Sequence, residues 1–379
     1  MSKYSYSYRK KKSKKWTFEI IMAVAALLLV CCAYAGKINP QKFFLAPFMM
    51  LGYVPMLVVT LLLLILTLLR RRWIALAIII GGFLLTAPVF RLYLPWNTAD
   101  MAPPEPADRA LILKVMTYNV LSFNYNDPEC GTKPSATMKL ILEADPDVLL
   151  MQEGGAGGVS WEQIPSLQPF VNDIKLKYPY QYWGNEGLSM LSKFPFTASS
   201  LGEEQQARSP LGYNRDQTSY LARAFDLELP SGKQLRLVDF RLQSYHLSFG
   251  KSQSVRVSPD VKPSAMERMK RSFTLRDNDA AAIRQAIDAS PANVIVCGDM
   301  NDVPASHVYR LISGADLRDA WARVGAGYAR TYNRHNLCYR IDHVFYRGDV
   351  RALNAERIKG GSSDHYPLMV TFDIDITKK

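Results

Sequence analysis

Three long apolar stretches near the start of the chain constrain its fold more than any other feature of the sequence. They cover residues 16–35, 43–69 and 73–92 of 379. Each is about as long as the ~20 apolar residues that a helix needs to cross a bilayer. Only very short loops separate them. They therefore predict an all-α segment of three transmembrane helices, and a buried soluble core is a poor alternative.

Basic residues flank these stretches and predict their orientation. The tail at 1–15 is rich in Lys and Arg from Arg9 onward, and the loop after the second stretch is Arg70-Arg71-Arg72. Basic loops stay in the cytoplasm by the positive-inside rule, so three crossings place everything after residue 93 on the far side. We therefore expect a multi-pass protein of the cell inner membrane, in contact with the lipid bilayer, whose C-terminal domain is periplasmic.

The first stretch has an alternative interpretation as a cleaved signal peptide. Ala33-Tyr34-Ala35 before Gly36 follows a basic start and an apolar run, which is the pattern of a cleavage site. The orientation is the same under both interpretations, because the other two stretches would still enter and leave the membrane with Arg70–Arg72 inside.

The formal net charge of +12 belongs to the membrane segment. Residues 1–99 hold 13 of the 46 Lys and Arg but only one of the 34 acids, Glu19, so residues 100–379 carry 33 of each sign. A domain that binds a nucleic acid duplex usually shows a basic excess. This domain shows none overall, although local basic patches remain open.

Prolines within 94–109 favour an extended spacer between the membrane segment and the rest of the chain. Residues 110–379 are expected to form the catalytic domain.

Strand and helix patterns alternate irregularly in this domain. The runs at 111–120 and 147–151 predict strands, with a helical pattern at 136–144 between them. Further strands are predicted at 188–191, 220–229, 234–243, 293–297, 341–346 and 368–374, and a long helix at 264–289. Many strands with few helices predict an α+β fold with two sheets packed face to face and helices outside.

Short polar clusters follow several of these apolar runs, where strand ends would present them at one edge of a sheet. Glu153 follows the run at 148–152, Asn119 follows the first strand, and Gly298-Asp299-Met300-Asn301 ends another. Carboxylate oxygens are ligands that Mg²⁺ prefers, and an Asp can orient a water. Solvated loop acids and turns use the same residue types, so each cluster alone leaves both interpretations open.

A second polar group lies near the C-terminus. Asp342 belongs to a predicted strand, and Asp364-His365 precedes the last one. Because an Asp can hold an imidazole in its working tautomer, Asp342 and His365 are a candidate pair of orienting and acidic groups. His343 should face the other side of its strand by period-2 alternation.

In combination these clusters resemble the endonuclease/exonuclease/phosphatase superfamily, from about Leu111 to Ile376. The matching motifs, in the family's order, are Thr-Tyr-Asn-Val at 117–120, Gln-Glu at 152–153, Leu-Ser-Lys-Phe-Pro at 191–195, Gly-Asp-Met-Asn-Asp at 298–302, Arg-Ile-Asp-His at 340–343 and Ser-Asp-His at 363–365. With the apolar segment in front, the chain looks like a membrane-anchored bacterial type. The resemblance implies a four-layer αββα sandwich and a Mg²⁺- or Mn²⁺-dependent attack of water on phosphorus.

The resemblance also implies which residues hold the metal. Glu153 would be the principal ligand. Asn119 would contribute to the metal and phosphate network, and Asp364 would lie close to the metal.

The catalytic roles come from the resemblance in the same way. Asp299 would position or deprotonate the attacking water, and Asn301 would hold the water and the phosphate. His365 would stabilise the pentavalent phosphorane, and Asp342 would orient His365.

One position departs from the family pattern. The family often shows Asn-x-His-Leu at a strand end, where this chain has Asp239-Phe240-Arg241-Leu242. A guanidinium can clamp phosphate through two hydrogen bonds, so we expect Arg241 to alter substrate handling more than to abolish activity. His246, a little further on, is an alternative source of the missing imidazole.

The residues therefore predict a membrane-anchored phosphoesterase that acts on a phosphodiester or phosphomonoester. Its substrate is open among nucleic acids, lipid head groups and small phosphoesters, and no protein partner can be inferred. The alternative is a catalytically weakened relative that binds a phosphate ligand at the membrane, with Arg241 as the mark of the decayed site. The retained set of Glu153, Asp299, Asn301 and His365 argues for the enzyme, because such sets act as a unit.

Overall fold

A computed structural model describes residues 2–97, 110–125, 127, 131–155, 159–184, 187–200, 221–230, 232–244, 264–334 and 339–375. The chain divides into two compact units. The helical unit comprises Met1–Leu92 with Ala305–His307, and the sandwich unit comprises Tyr93–Pro304 with Val308–Lys379.

The helices at the start of the chain are α1 (Ser2–Tyr34), α2 (Ala46–Leu51), α3 (Tyr53–Leu69) and α4 (Trp73–Tyr93). Thr17–Lys37 and Trp73–Tyr93 are long and apolar enough to cross a membrane, and Tyr53–Leu69 is a shorter apolar helix. Helical hydrogen bonds continue from α2 into α3. Gly52 N donates to Phe48 O at 2.9 Å, and Met56 N donates to Gly52 O at 3.0 Å. Backbone hydrogen bonds therefore connect α2 and α3 across Gly52.

Glu19 pairs with the basic loop between α3 and α4. Arg72 Nη1 lies 3.8 Å from Glu19 Oε1. The guanidinium groups of Arg70 and Arg72 lie 5.6 and 5.5 Å from the centre of the Phe18 ring. These contacts attach the Arg70–Arg72 turn to one end of the apolar part of α1.

The sandwich unit is built from two six-stranded sheets. Its strands are β1 (Ala110–Asn119), β2 (Val148–Gln152), β3 (Tyr180–Trp183), β4 (Ser189–Ser192), β5 (Phe196–Ser200), β6 (Leu221–Glu228), β7 (Gln234–Arg241), β8 (Val294–Asp299), β9 (Arg318–Asp319), β10 (Asp342–Arg347), β11 (Val350–Arg357) and β12 (Leu368–Asp375). The first sheet has the order β11-β12-β1-β2-β4-β3, and the second β5-β6-β7-β8-β10-β9. The pairs β1–β2 and β7–β8 are parallel, and the other described neighbours are antiparallel.

The remaining helices are α5 (Ala136–Ala144), α6 (Val171–Lys177), α7 (Ala265–Asp288), α8 (His307–Ser313) and α9 (Ala320–Val324). Met138 and Ile141 of α5 and Ile174 of α6 pack on the outer face of the first sheet. At the end of α7, the carbonyl of Ile287 accepts a hydrogen bond from Arg347 of β10 at 2.8 Å. The predicted α+β sandwich with outer helices is confirmed.

The core lies between the sheets, and alternation along the strands decides which residues enter it. Leu113 and Val115 of β1 belong to this core. Met116 and Tyr118 belong to the cluster under α5 and α6. Thr117 and Asn119 therefore follow Leu113 and Val115 on the inner face.

The strand predictions succeeded at the centre of each sheet and failed at its edges. All eight predicted strands are present among the described residues, and α7 matches the helix predicted at 264–289. The four strands that the patterns did not predict are β3, β5, β9 and β11, which are the four edge strands. An edge strand has a neighbouring strand on one side only and is more exposed to solvent, so its sequence needs no long apolar run. In β3, for example, Tyr180 is exposed and the next three residues are half-buried.

The beginning of the predicted spacer is bound to the sandwich unit. Trp96 forms an isolated antiparallel bridge with Ala326, and Asn97 Nδ2 donates to Gly325 O at 2.8 Å. The rest of the spacer, 98–109, lies outside the described residues.

Candidate active site

The predicted site residues converge at one edge of the sandwich. β1 and β2 of the first sheet end there, with Asn119 opposite Gln152. In the second sheet, Asp299 lies opposite both Arg241 of β7 and Asp342 of β10. Parallel strands bring their carboxyl ends to the same edge, and the antiparallel β10 contributes its first residue.

A backbone turn brings Glu153 into this edge. Simple alternation would place Glu153 on the outer face with Met151, but its φ is +52°. This left-handed conformation is unusual for a residue other than glycine and redirects the side chain. Asn119 Nδ2 then donates to Glu153 Oε1 at 3.0 Å, and Arg241 Nη2 lies 2.7 Å from the same oxygen.

Asp299 lies at the centre of the group. Its carboxylate is buried and accepts hydrogen bonds from Asn119 Nδ2 at 3.0 Å, from the backbone N of Asn301 at 2.9 Å and from Asn301 Nδ2 at 3.1 Å. The backbone of β8 approaches the backbone of β7 closely here: a Cβ added at Gly298 would lie 1.9 Å from Phe240 O. Only glycine therefore fits immediately before Asp299.

Asp342 and His365 form the second part of the site. His365 Nδ1 lies 2.9 Å from Asp342 Oδ2, and His365 Nε2 lies 3.9 Å from Asp299 Oδ2. The loop before His365 is held by Ser363, whose hydroxyl donates to Asn119 O at 2.6 Å and accepts from His365 N at 3.1 Å. The imidazole thus bridges two carboxylates from the second sheet.

These contacts shift the protonation of both partners. Burial raises the pKa of Asp299 to about 6, with Asp342 adding to the rise and His365 and Arg241 opposing it. Burial also disfavours the charged form of His365, but Asp342 and Asp299 outweigh it and raise the pKa of His365 to about 10. At neutral pH the site therefore holds an imidazolium between carboxylates.

Asp364 stands apart from the Asp299 group. Its carboxylate lies 3.4 Å from Nη1 of the exposed Arg334, and its carbonyl accepts from Asn333 N at 3.0 Å. Among the described residues it makes no hydrogen bond or ion pair with Glu153 or Asp299. It lies at the rim of the site, beside His365 in the chain.

The donor groups suit a hard cation. Asp299, Asp342 and His365 each bring one possible ligand atom within 4.8 Å of the others, and the two carboxylates are the members that can bind a cation while the imidazole is protonated. Within the part of the chain that the structure describes, Asp342 Oδ1 is buried and has no hydrogen-bond partner, and Asn119 and Arg241 both contact Oε1 of Glu153. Oxygen-rich sets of this kind fit Mg²⁺ or Mn²⁺.

The alternation argument for His343 is confirmed. Its ring packs against Tyr309 and Phe345 on the other side of β10, and its Nε2 lies 3.0 Å from the carbonyl of Asp302. Burial, reinforced by the positive charge of Arg340, lowers the pKa of His343 to about 3. His246 and His335 lie outside the described residues.

Sequence reasoning missed a polar layer beneath the site. Gln152 Nε2 donates to Thr117 Oγ1 at 3.0 Å and to Asp239 Oδ1 at 2.5 Å, which links the two sheets. Burial raises the pKa of Asp239 well above its usual range. Counting back two residues from Arg241 and Asn119 along their strands would have found Asp239 and Thr117.

It also missed Tyr332, whose ring meets His365 edge to face with the ring centres 5.2 Å apart. This residue lies in the segment between α9 and β10, and no motif marks it.

The chain belongs to the endonuclease/exonuclease/phosphatase family, whose sequence model matches residues 116–365. This is a hydrolase family whose members act on phosphoesters and typically bind a metal. A second model, a domain of unknown function named DUF8431, matches residues 15–93. No curated protein matches the chain.

Several solved structures are similar to 69–70% of the chain. An endonuclease/exonuclease/phosphatase from Beutenbergia cavernae is 18% identical with a TM-score of 0.44, over 70% of this chain and 72% of that one. The catalytic domain of human Nocturnin is 19% identical with a TM-score of 0.45, over 69% and 93%. A mannosyl-6-phosphatase from Bacteroides thetaiotaomicron is 14% identical with a TM-score of 0.41, over 69% and 99%.

Proposed function

We propose that this protein is a membrane-anchored, divalent-metal-dependent phosphoesterase that hydrolyses a phosphodiester or phosphomonoester by attack of water on phosphorus. The observation that carries the proposal is the arrangement around Asp299, which is buried and has a raised pKa. Asp299 is held by Asn119 and Asn301, and it faces the imidazole of His365.

Asp299 and His365 have complementary parts in this mechanism. A carboxylate whose pKa is about 6 is mostly ionised at neutral pH, yet it is a better proton acceptor than an ordinary Asp. It positions the attacking water and takes up its proton. His365, kept positive by Asp342 at 2.9 Å, faces the negative charge that develops on the phosphoryl oxygens. Asn301 holds the water and a phosphate oxygen from the other side of Asp299.

Glu153, Asn119 and Asp364 are the proposed holders of the metal. A bound Mg²⁺ or Mn²⁺ would neutralise charge on the phosphate. The Arg241 guanidinium contacts Glu153 Oε1 at 2.7 Å, so the carboxylate of Glu153 would bind a cation through its other oxygen. Arg241 would then lie beside the phosphate as a second positive group. Its guanidinium can donate two parallel hydrogen bonds to a phosphate.

The helical unit is proposed to cross the membrane three times. The second span would run from Ala46 to Leu69 between α1 and α4, through α2 and α3, whose backbones are hydrogen-bonded across Gly52. Large apolar side chains are exposed along all three, for example Leu27, Leu62 and Leu84, and in water such a surface would be unfavourable. Residues 1–15 and Arg70–Arg72 would be cytoplasmic, and 110–379 would form a periplasmic catalytic domain after the spacer at 94–109.

The net charge of the catalytic domain and its attachment to the membrane favour one class of substrate. Residues 100–379 have no net charge, and the protein is held at a bilayer, so a lipid head group or a small phosphoester suits the site better than a nucleic acid duplex.

A non-catalytic phosphate-binding module is the second candidate function. The ion pair between Arg241 and Glu153 favours it, because it engages one oxygen of the main proposed metal ligand.

One activity panel separates the two candidates. The full chain in detergent micelles would be assayed on bis-para-nitrophenyl phosphate, para-nitrophenyl phosphate, plasmid DNA and sphingomyelin, with Mg²⁺, Mn²⁺ or EDTA. We expect hydrolysis that needs the cation and is lost in Asp299→Asn but not in Asp173→Asn, a matched change of an exposed residue on α6. Absence of hydrolysis on every substrate, with binding of inorganic phosphate retained, would favour the binding module.

A further inference from the structure

Tyr332 is held beside the site by its backbone. It forms antiparallel bridges with Tyr339 on one side and with His365 on the other. Tyr332 N donates to Tyr339 O at 3.1 Å, and the next residue, Asn333, donates its N to Asp364 O at 3.0 Å. The segment is therefore attached to the same loop that carries His365.

The side chain of Tyr332 is directed to the site from this position. Its ring packs edge to face on the His365 imidazole, with the ring centres 5.2 Å apart and the planes at 68°. Burial and the carboxylates of Asp364, Asp299 and Glu153 raise the pKa of Tyr332, and the positive charge of Arg334 opposes the rise. The edge-to-face contact keeps the phenol ring beside the imidazole of His365.

The Tyr332 hydroxyl has no hydrogen-bond partner among the residues that the structure describes, and the side chain is half-buried. A phenol is protonated at neutral pH and can donate a hydrogen bond. The neighbouring carboxylates favour the neutral form further. The other charged groups near the ring are His365, the carboxylates already named and Arg334. The ring contact with His365 places the phenol next to the imidazole that a phosphoester would face.

We propose that Tyr332 is a substrate-contacting residue whose hydroxyl donates a hydrogen bond to a non-bridging phosphate oxygen. The proposal rests on the proposed phosphoesterase function, since it needs a phosphate between Asp299 and His365. A purely structural Tyr332 would act only through its ring on His365. Phenylalanine keeps that ring and removes only the hydroxyl, so the two roles predict different results for Tyr332→Phe.

The test compares Tyr332→Phe with wild type and with Tyr180→Phe, a matched change at the exposed start of edge strand β3. The full chain is assayed in detergent on whichever nitrophenyl ester the wild type hydrolyses. We expect kcat/KM to fall about 10- to 100-fold in Tyr332→Phe, which is the range for one hydrogen bond to a charged group. The inhibition constant for inorganic phosphate should rise as well, while the pH profile and thermal unfolding stay unchanged. Tyr180→Phe should match the wild type throughout.

A second measurement keeps this result separate from the proposed function. Calorimetric titration with inorganic phosphate in Mg²⁺ needs no turnover, so it tests Tyr332 even if the wild type hydrolyses no ester. Weaker phosphate binding in Tyr332→Phe than in Tyr180→Phe would support the contact. Equal phosphate affinity in the two variants, or no phosphate binding by the wild type, would overturn it.

Discussion

Replacing Asp342 with Asn should lower the pKa of His365 by several units. In the native site His365 Nδ1 is 2.9 Å from Asp342 Oδ2, and Nε2 is 3.9 Å from Asp299 Oδ2. Burial opposes the charged imidazole, so its high pKa depends mainly on these two carboxylates, with a smaller contribution from Asp364. Asn keeps the size of the side chain and a hydrogen-bond acceptor, but it removes the nearer negative charge.

The pKa of His365 gives the size of the effect. A rise from the ordinary 6.5 to about 10 means that the native site favours the charged form. One pKa unit corresponds to about 1.4 kcal/mol, so the rise is worth about 5 kcal/mol. Asp342 supplies the larger share because it is closer. After its removal, burial competes with Asp299 and Asp364 only, and we expect a pKa of His365 well below that of the native site.

The sign of the effect on stability follows from linkage. Since the folded-state pKa of His365 is raised, the folded state binds more protons than the unfolded state between about pH 6.5 and pH 10. The stabilisation is complete below about pH 6.5 and is lost as the pH rises through 10. Asp342→Asn should therefore remove most of this pH dependence of the free energy of unfolding, whereas the wild type should lose stability as the pH rises.

Nuclear magnetic resonance of the full chain with labelled histidines measures this directly, in EDTA so that no cation competes. The chain has five histidines, and His343, with a pKa of about 3, is an internal reference that stays neutral. Asp226→Asn, which breaks an ion pair with Arg236 elsewhere in the sheet, is a matched control. An unchanged titration of His365 in Asp342→Asn would refute the argument that this carboxylate sets its charge.

Other predictions test the membrane unit and the remaining site residues. An alkaline phosphatase reporter fused after residue 379 should be active on the periplasmic side; activity of only a cytoplasmic reporter there would rule out three spans. Glu153→Gln should weaken both metal affinity and turnover, so full activity at low micromolar Mg²⁺ would remove Glu153 from the metal site. Arg241→Ala should cost about 2 to 4 kcal/mol of transition-state stabilisation, with partial recovery in Arg241→His; wild-type rates in Arg241→Ala beside an inactive Asp299→Asn would make Arg241 structural. Gly298→Ala should destabilise the fold by about 3 kcal/mol or more, measured by thermal unfolding, because its Cβ would meet Phe240 O at 1.9 Å; a stable variant would show that β7 can move.

The central strands could be predicted because their chemistry is local. β2 and β8 are buried along their whole length, so each reads as an apolar run that ends in polar residues. A carboxylate directly after such a run emerges at the end of the strand, so the sequence identifies Glu153 and Asp299 as candidate site residues. The edge strands β3 and β11 contain no such apolar run, because part of each strand faces solvent.

The sequence by itself determined the apolar segments, the inner strands and the chemical types gathered at their ends. Only the tertiary structure decided how they meet. A positive φ turns Glu153 into the cleft, and β10 brings Asp342 within 2.9 Å of His365. No sequence motif marks Tyr332, which lies at the site because its backbone pairs with that of His365. Periodicity describes each strand separately, whereas these contacts depend on the register between strands and on the packing of two sheets, which no single segment of the sequence contains.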